Sequence, residues 1–447
     1  MEFQRKMKFN KSYETKKPKE KAFLVGVSIK GSIDFMSIVD SLNELAFLAE
    51  TAGVEVVGSE TQTLSKPNPA TYIGSGKVEE IKLFAESLKT DVIIFDTELS
   101  PRNFRELEEA FGTHIRVIDR TTLILDIFGL HAQTREGKLQ VELAQYEYLL
   151  PRLTRAWSHL ARQAGGGGGR TGGSGGVGLR GPGETQLEVD RRKINMKISH
   201  LKKDLDKVRK NRSLHRKNRK LSQMPSVSLV GYTNSGKSTL LNLLTNANVL
   251  TANRLFATLD PTVRRLNLLS GNAILLSDTV GFIQKLPTNL IAAFRATLEE
   301  ITEADLLLHI IDINHKNSIA QYRSVTETLN DIGAGNIPIL TVLNKIDKNK
   351  DYKSIKDTYP EFVNGVSISA LKNIGIDELL TKINNSLFNK YTNITAKIPY
   401  SNGKLIALFH QYGKVNKIEH GVGSVVLTGS IPGRMLADFE RFQKTKQ

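Results

Sequence analysis

The segment Gly231-Tyr232-Thr233-Asn234-Ser235-Gly236-Lys237-Ser238 fits G-x-x-x-x-G-K-[ST] at every defined position, and it restricts the fold more than any other stretch of the chain. Such a segment needs a buried strand before it and a helix after it. The apolar SVSLV precedes it and STLLNLLT follows it, so both flanks have the required character. The glycines let backbone N–H groups wrap a β-phosphate, and the positive end of the helix adds to that pull. Lys237 supplies a point charge near the β and γ oxygens, and the Ser238 hydroxyl is suited to Mg²⁺.

Three further segments follow in order, each behind an apolar run of strand character. Asp278-Thr279-Val280-Gly281 follows AILLS, which puts a carboxylate at a strand end to hold Mg²⁺ through water and a glycine amide near a γ-phosphate. Asn344-Lys345-Ile346-Asp347 follows IPILTVL. The Asp347 carboxylate can accept from the ring N–H and the exocyclic amine of guanine, whereas adenine would leave it unpaired. Ser369-Ala370-Leu371 follows VSI and can back the base through a main-chain N–H. DTVG or SAL alone means little. In this order, the series implies a guanine-nucleotide site with Mg²⁺ as cofactor and GTP as substrate.

A chain of 447 residues exceeds one compact core and suggests two to four domains of roughly 100–200 residues each. The hydrophobic share of 40% and charged share of 24% are those of a globular protein, and no apolar run is long enough to span a bilayer. The N-terminus is basic and polar without an apolar core, so it reads as a disordered arm over 1–20 rather than a secretory signal. With no cysteine the chain holds neither disulfides nor thiolate metal sites, which fits a cytoplasmic location. The histidines show no metal spacing, and His131, His159, His200 and His215 read as helix-surface residues.

The net charge of +16 suggests a polyanionic partner, and it is concentrated: Arg191 to Lys220 carries fourteen Lys or Arg against Asp204 and Asp206, or +12. Residues 21–135 alternate short β-like runs with helix-period stretches, as a parallel α/β domain does. Leu139, Leu143, Tyr146, Leu150, Leu153, Trp157 and Leu160 then form a heptad seam, which Pro151 is expected to kink. Leu187, Ile194, Ile198, Leu201, Leu205 and Val208 form a second seam that ends where Arg212 and His215 would continue it. Two such helices are expected to pair as an antiparallel hairpin over 136–222. Its tip is a glycine-rich loop over 164–183, with twelve glycines among the nineteen residues from Gly165 to Gly183, plus Arg170 and Arg180. A flexible linker and a solvated coiled coil are the plain readings. The charge density favours contact with nucleic-acid phosphates.

The series resembles the translation-factor-related GTPases, and four segments outside it sharpen the likeness. Tyr72 to Lys77 (YIGSGK), Gly178 to Glu184 (GLRGPGE), Glu184 to Arg192 (ETQLEVDRR) and Leu255 to Arg265 (LFATLDPTVRR) together resemble the HflX family of ribosome-associated GTPases. The likeness runs over about residues 20–390. It implies the order read above: an N-terminal parallel α/β domain, a basic hairpin, a P-loop GTPase domain over 223–390 and a small C-terminal α+β domain over 391–447. It also implies binding to the large ribosomal subunit and its RNA, with splitting or rescue of stalled ribosomes under stress, by a monomer that can associate peripherally with membranes.

By the same resemblance, Phe256, Ala257, Thr258, Leu259 and Asp260 form the first switch loop, with Thr258 closing on Mg²⁺ beside Ser238. Lys237, Thr258 and Gly281 are then the catalytic candidates. Phe282 stands where many regulatory GTPases place a glutamine that orients the attacking water, so slow intrinsic hydrolysis is expected until a partner completes the site. Gly74-Ser75-Gly76-Lys77 lacks the full phosphate-loop pattern, since Thr71 and Val78 occupy its ends. A tight turn before a helix is the simpler reading, although the family leaves room for ATP there. The chief alternative is a ribosome- or RNA-binding module that only senses nucleotide. A GTPase of tRNA modification is disfavoured by the absence of cysteine.

Overall fold

The computed structural model describes residues 19–31, 36–112, 114–152, 186–221, 224–245, 255–256, 258–268, 271–285, 295–349, 352–388, 391–432 and 435–443. The arm before residue 19, the glycine-rich loop with Arg170 and Arg180, the seam positions Leu153, Trp157 and Leu160, His159 and Ala257 lie outside the described residues, as do the side chains of Leu187, Arg212 and His215. The chain divides into two compact units, Met1–Gly31 with Ile38–Arg120, and Ser32–Ser37 with Thr121–Gln447.

In the first unit, strands β1 (Lys21–Ile29), β2 (Glu55–Leu64), β3 (Val92–Phe95) and β4 (Arg116–Asp119) form a parallel sheet in the order β2-β1-β3-β4. Helices α1 (Ile38–Thr51), α2 (Ser75–Ser87) and α3 (Pro101–Phe111) connect them. Every side chain of β3 is buried, so VIIF reads as a continuous apolar run, as the middle of a parallel sheet requires. A reciprocal cap between Ser100 and Asn103, with Pro101 in the first turn, starts α3. Beyond the strand ends, Arg120 is buried and held by Asp96 at 2.7 Å and by Glu44, while Ser41 Oγ donates to Asp96 at 2.6 Å.

The motif at Gly74 is the start of α2. Gly74 is extended (φ −67°, ψ 148°) and caps the helix, which begins at Ser75. Lys77 donates to Glu60 at 2.8 Å and to Glu80 at 3.0 Å, and these carboxylates raise its pKa, Glu60 foremost. Its ammonium is committed to protein carboxylates.

The second unit begins with α4 (Arg120–His131, from Thr121), α5 (Arg135–Leu149) and the long α6 (Gln186–Leu221). The two leucine seams meet: Leu143 packs with Ile198, Leu201 and Leu205, flanked by Leu139, Tyr146, Leu150 and Ile194. Each buried aliphatic side chain there contributes about 1.5–3 kcal/mol of transfer free energy. At Pro151 the α-helical pattern is interrupted: α5 stops at Leu149 and Leu150–Arg152 is a 3-10 turn, while the rest of the seam lies outside the described residues.

A six-stranded sheet follows in the order β10-β9-β8-β5-β7-β6. Its strands are β5 (Ser226–Gly231), β6 (Thr262–Asn267), β7 (Ala273–Asp278), β8 (Leu306–Asp312), β9 (Ile339–Asn344) and β10 (Val366–Ser367), and only the β6–β7 pair is antiparallel. Helices α7 (Lys237–Thr245), α8 (Arg295–Thr302), α9 (Ser318–Asp331) and α10 (Ile376–Phe388) flank it. Val227, Leu229, Leu276, Leu308, Ile310 and Val342 form its core. Last comes the antiparallel sheet β11-β13-β12, built from β11 (Tyr391–Pro399), β12 (Lys414–Gly421) and β13 (Ser424–Pro432) and packed on α11 (Gly403–Tyr412) and α12 (Leu436–Phe439) around Phe409 and Phe439. Among the described residues, no helix is long and apolar enough to cross a membrane.

Candidate nucleotide site

The sheet explains where the motifs meet. β5, β7, β8 and β9 run parallel as neighbours, so the segments following β5, β7 and β9 emerge along one edge. The turn after β5 depends on its glycines. Gly231 has φ +149° and Gly236 φ +102°, and a Cβ on Gly231 would collide with the Ile310 carbonyl, one on Gly236 with the Asn344 amide. Asn234, at φ +59°, takes the left-handed conformation that asparagine tolerates better than most residues.

Lys237 Nζ donates to the carbonyls of Gly231 at 3.1 Å and Tyr232 at 2.8 Å. Burial pushes its pKa down to about 8, against the opposing pull of Asp278. Behind it, burial lowers the pKa of His309, stacked on Tyr322, to about 3, so this imidazole stays neutral.

Three oxygens converge at the end of β7. Ser238 Oγ donates to Asp278 Oδ2 at 2.6 Å, Thr258 Oγ1 lies 3.2 Å from the same oxygen, and the two hydroxyls are 3.0 Å apart. Asp278 is fully buried, burial raises its pKa, and its other oxygen Oδ1 has no hydrogen-bond partner. A buried carboxylate oxygen without a donor, beside two hydroxyls, suits a hard cation that takes oxygen ligands. Among the described residues no three His, Asp or Glu side chains cluster to hold a metal, so any ion here would rely on hydroxyls, water and ligand oxygens.

Gly281 lies against the same turn: a Cβ there would approach Thr233 Cγ2 to 2.8 Å and Lys237 Nζ to 3.1 Å. Phe282, 3% exposed, is stitched to the turn by its backbone, donating to Gly231 O at 3.1 Å and accepting from Thr233 N at 2.8 Å. Sequence reasoning missed a further link, the Tyr232 hydroxyl accepting from Gln284 N at 2.8 Å.

On the other side Asn344 is buried and joins three segments. Its Nδ2 donates to Ser235 O at 2.9 Å, and its Oδ1 accepts from Lys345 N at 2.8 Å and Ala370 N at 3.0 Å. Lys345 reaches Asn234 O and Asp312 Oδ2, both at 2.8 Å, and Asp312 was not foreseen from sequence. Asp347 accepts from Ser369 Oγ at 2.6 Å, and that bond is the first cause holding its carboxyl below the usual range. Thr279, Val280 and Ile346 are buried support, while the side chain of Leu371 is 76% exposed. Phe256 and Leu259 are buried, and Asp260 accepts from the amides of Gln133 and Thr134.

Family models match three consecutive stretches: GTP-binding GTPase N-terminal over residues 39–129, GTP-binding GTPase middle region over 131–219, and 50S ribosome-binding GTPase over 226–345. The chain is 44% identical over 403 residues to GTPase HflX of Caldanaerobacter subterraneus subsp. tengcongensis, covering 90% of this chain and 89% of that protein. It is 42% identical over 409 residues to GTPase HflX of Escherichia coli (strain K12), covering 91% and 92%. It is 47% identical over 332 residues to GTPase HflX of Alkalihalophilus pseudofirmus, covering 74% and 75%. Among solved structures it is similar to a GDP-bound GTP-binding protein from Sulfolobus solfataricus, at 27% identity and a TM-score of 0.41 over 82% of this chain and 98% of that one. Identities of 44% and 42% to the HflX GTPases of Caldanaerobacter subterraneus and Escherichia coli over about nine tenths of the chain, with the 50S ribosome-binding GTPase model matched over 226–345, make it a GTPase of the HflX family.

Proposed function

We propose that the protein hydrolyses GTP with Mg²⁺ held by Ser238 and Thr258, with Asp278 behind them acting through water, and that it acts on the large ribosomal subunit. In this reading the amides of Asn234, Gly236, Lys237 and Ser238 and the Lys237 ammonium bind the phosphates, Gly281 offers its amide to the γ-phosphate, and Asp347 reads guanine with Ala370 behind the base. Mg²⁺, when bound, neutralises charge on the β and γ oxygens. Phe282 supplies no polar group to orient water, so unassisted hydrolysis is slow and a partner completes the site. Residues 21–135, 136–222, 223–390 and 391–447 act as four domains, the second an antiparallel hairpin.

The observation that carries the ribosome reading is α6. Its seam at Ile198, Leu201 and Leu205 is buried, while Arg191, Arg192, Lys193, Lys197, Lys202, Lys203 and Lys207 are exposed. Glu142, Glu147, Asp190 and Asp204 pair with Lys197, Lys202, Lys193 and Lys207, and the face keeps a cationic excess in which Arg191, Arg192 and Lys203 lie beside Asn195, Ser199 and His200. Cations with interleaved hydrogen-bonding groups match RNA phosphates and riboses. The match of residues 226–345 to the 50S ribosome-binding GTPase family points the same way. Sedimentation with ribosomes in GTP, GDP and a non-hydrolysable analogue tests the switch, and subunit release with GTP tests splitting. Equal binding in all three nucleotides would leave only a nucleotide-sensing RNA-binding module.

A further inference from the structure

The loop of Thr258 is anchored on both sides by one part of the molecule outside the nucleotide motifs. On the near side, Phe256 takes a left-handed backbone (φ +56°), a conformation unfavourable for an aromatic residue, and its buried ring meets Phe128 of α4 edge-on with centroids 4.6 Å apart. On the far side, Asp260 Oδ2 accepts from the backbone amides of Gln133 at 2.9 Å and Thr134 at 2.8 Å, and its Oδ1 accepts from the Thr134 hydroxyl. Thr134 also caps α5, its Oγ1 accepting from Gly137 N at 3.0 Å. A Cβ on Gly137 would lie 2.5 Å from Asp260 Oδ1, so only glycine lets the carboxylate seat there. Between the anchors Thr258 Oγ1 sits within 3.2 Å of both Ser238 Oγ and Asp278 Oδ2.

We propose that the corner between α4 and α5 is a positioning element for GTP hydrolysis: Phe128, Thr134 and Gly137, acting through Phe256 and Asp260, hold the loop of Thr258 closed over the cation and γ-phosphate. The inference rests on the reading of Thr258 as the residue that closes on Mg²⁺. A carboxylate that accepts from two backbone amides immediately before a helix start is held by charge-assisted bonds and lies near the positive helix end, so the anchor is rigid. Linkage makes the coupling reciprocal: nucleotide that draws Thr258 inward also tightens the first turn of α5, the arm whose seam carries α6.

Single-turnover hydrolysis and GDP affinity of the full chain test this. Asp260→Ala and Gly137→Ala should each lower the rate at saturating GTP about tenfold with GDP affinity changed less than about twofold, because only a γ-phosphate-dependent arrangement is lost. Thr134→Val should follow them and Thr134→Ser should restore most of the rate. Hydrogen exchange at the Gly137 and Lys138 amides should slow with a non-hydrolysable GTP analogue relative to GDP, and that difference should vanish in Asp260→Ala. Wild-type rates in Asp260→Ala alongside a slow Thr258→Ala would overturn the proposal alone; an unimpaired Thr258→Ala would overturn the reading beneath it. Parallel losses of GDP affinity and thermal stability would reduce the corner to a structural contact and also overturn it, and Asp260→Asn keeps this distinction should the alanine variant not fold.

Discussion

Asn344 donates its side-chain amide to the carbonyl of Ser235 at 2.9 Å, so the base-side motif and the phosphate turn are joined by a buried hydrogen bond spanning 109 residues. The same side chain accepts from Lys345 N and Ala370 N, which makes it a hub of the site. Asn344→Ala leaves one carbonyl and two amides without their partner, at about 1–3 kcal/mol for each group that water does not reach. Denaturant unfolding of the nucleotide-free variant should show lost stability, and GTP and GDP affinities should fall by the same factor. A loss confined to GTP would contradict this role.

Asp347 carries a pH signature. Its folded-state pKa lies below the ordinary carboxylate value, with the Ser369 hydroxyl as the leading cause. A depressed pKa favours the ionised form in the folded protein, so this contribution is present above the ordinary value and is lost as pH falls through the folded one. Ser369→Ala lifts the carboxyl back toward its ordinary pKa. Guanine binding, which needs the carboxylate, should then weaken earlier on acidification, with an added loss of about threefold at neutral pH from the missing bond. GDP titrations from neutral toward acidic pH read both effects, and identical acid profiles would exclude the Ser369 contribution.

The phosphate turn, DTVG, NKID and SAL were legible because each is a contiguous run behind an apolar strand, and parallel pairing of those strands delivers such runs to one edge. The seams were legible for a similar reason, since spacings of three and four put Leu143, Ile198, Leu201 and Leu205 on facing stripes. The anchoring role of Asp260 was not, because its partner amides lie 126 and 127 residues away and nothing local separates a carboxylate tied to a distant turn from a nucleotide-loop one. Thr134 with Gly137 three residues on does carry a capping signal, although it does not say which carboxylate sits there. Tyr232 and Asp312 escaped for the same reason: their partners, Gln284 and Lys345, are distant in sequence.

The phosphate turn has no room for a methyl group at Gly236. Its φ of +102° is strained for any side chain, and the added Cβ would strike the Asn344 amide that secures the turn. Gly236→Ala should therefore abolish measurable binding of GTP and GDP while circular dichroism stays close to wild type. Gly76→Ala provides the contrast, since a Cβ there meets nothing within 4 Å. It should leave GTP affinity unchanged.

In the first unit, stability should depend on a buried charge pair. Arg120 and Asp96 are each no more than 1% exposed and lie 2.7 Å apart. Asp96→Ala leaves the buried guanidinium with Glu44 alone and removes the acceptor of Ser41, so it should destabilise this unit by about 2–4 kcal/mol. Urea unfolding followed by far-UV circular dichroism measures this. Replacing an exposed cation such as Lys66 should cost under about 0.5 kcal/mol by comparison.

The metal reading makes a demand that can be tested without measuring turnover. Ser238 and Thr258 converge on Asp278, whose second carboxylate oxygen is buried without a donor, and a cation is the natural way to satisfy that oxygen directly or through its water. Removing the Ser238 hydroxyl deletes one ligand while leaving the amides of the turn and Lys237 in place. Wild-type protein should lose much of its GTP affinity when Mg²⁺ is chelated. Ser238→Ala should bind GTP weakly with or without the ion, by about tenfold or more relative to Mg²⁺-loaded wild type, so that chelation changes little. A variant whose GTP affinity still falls steeply on chelation would show that the ion is held without Ser238.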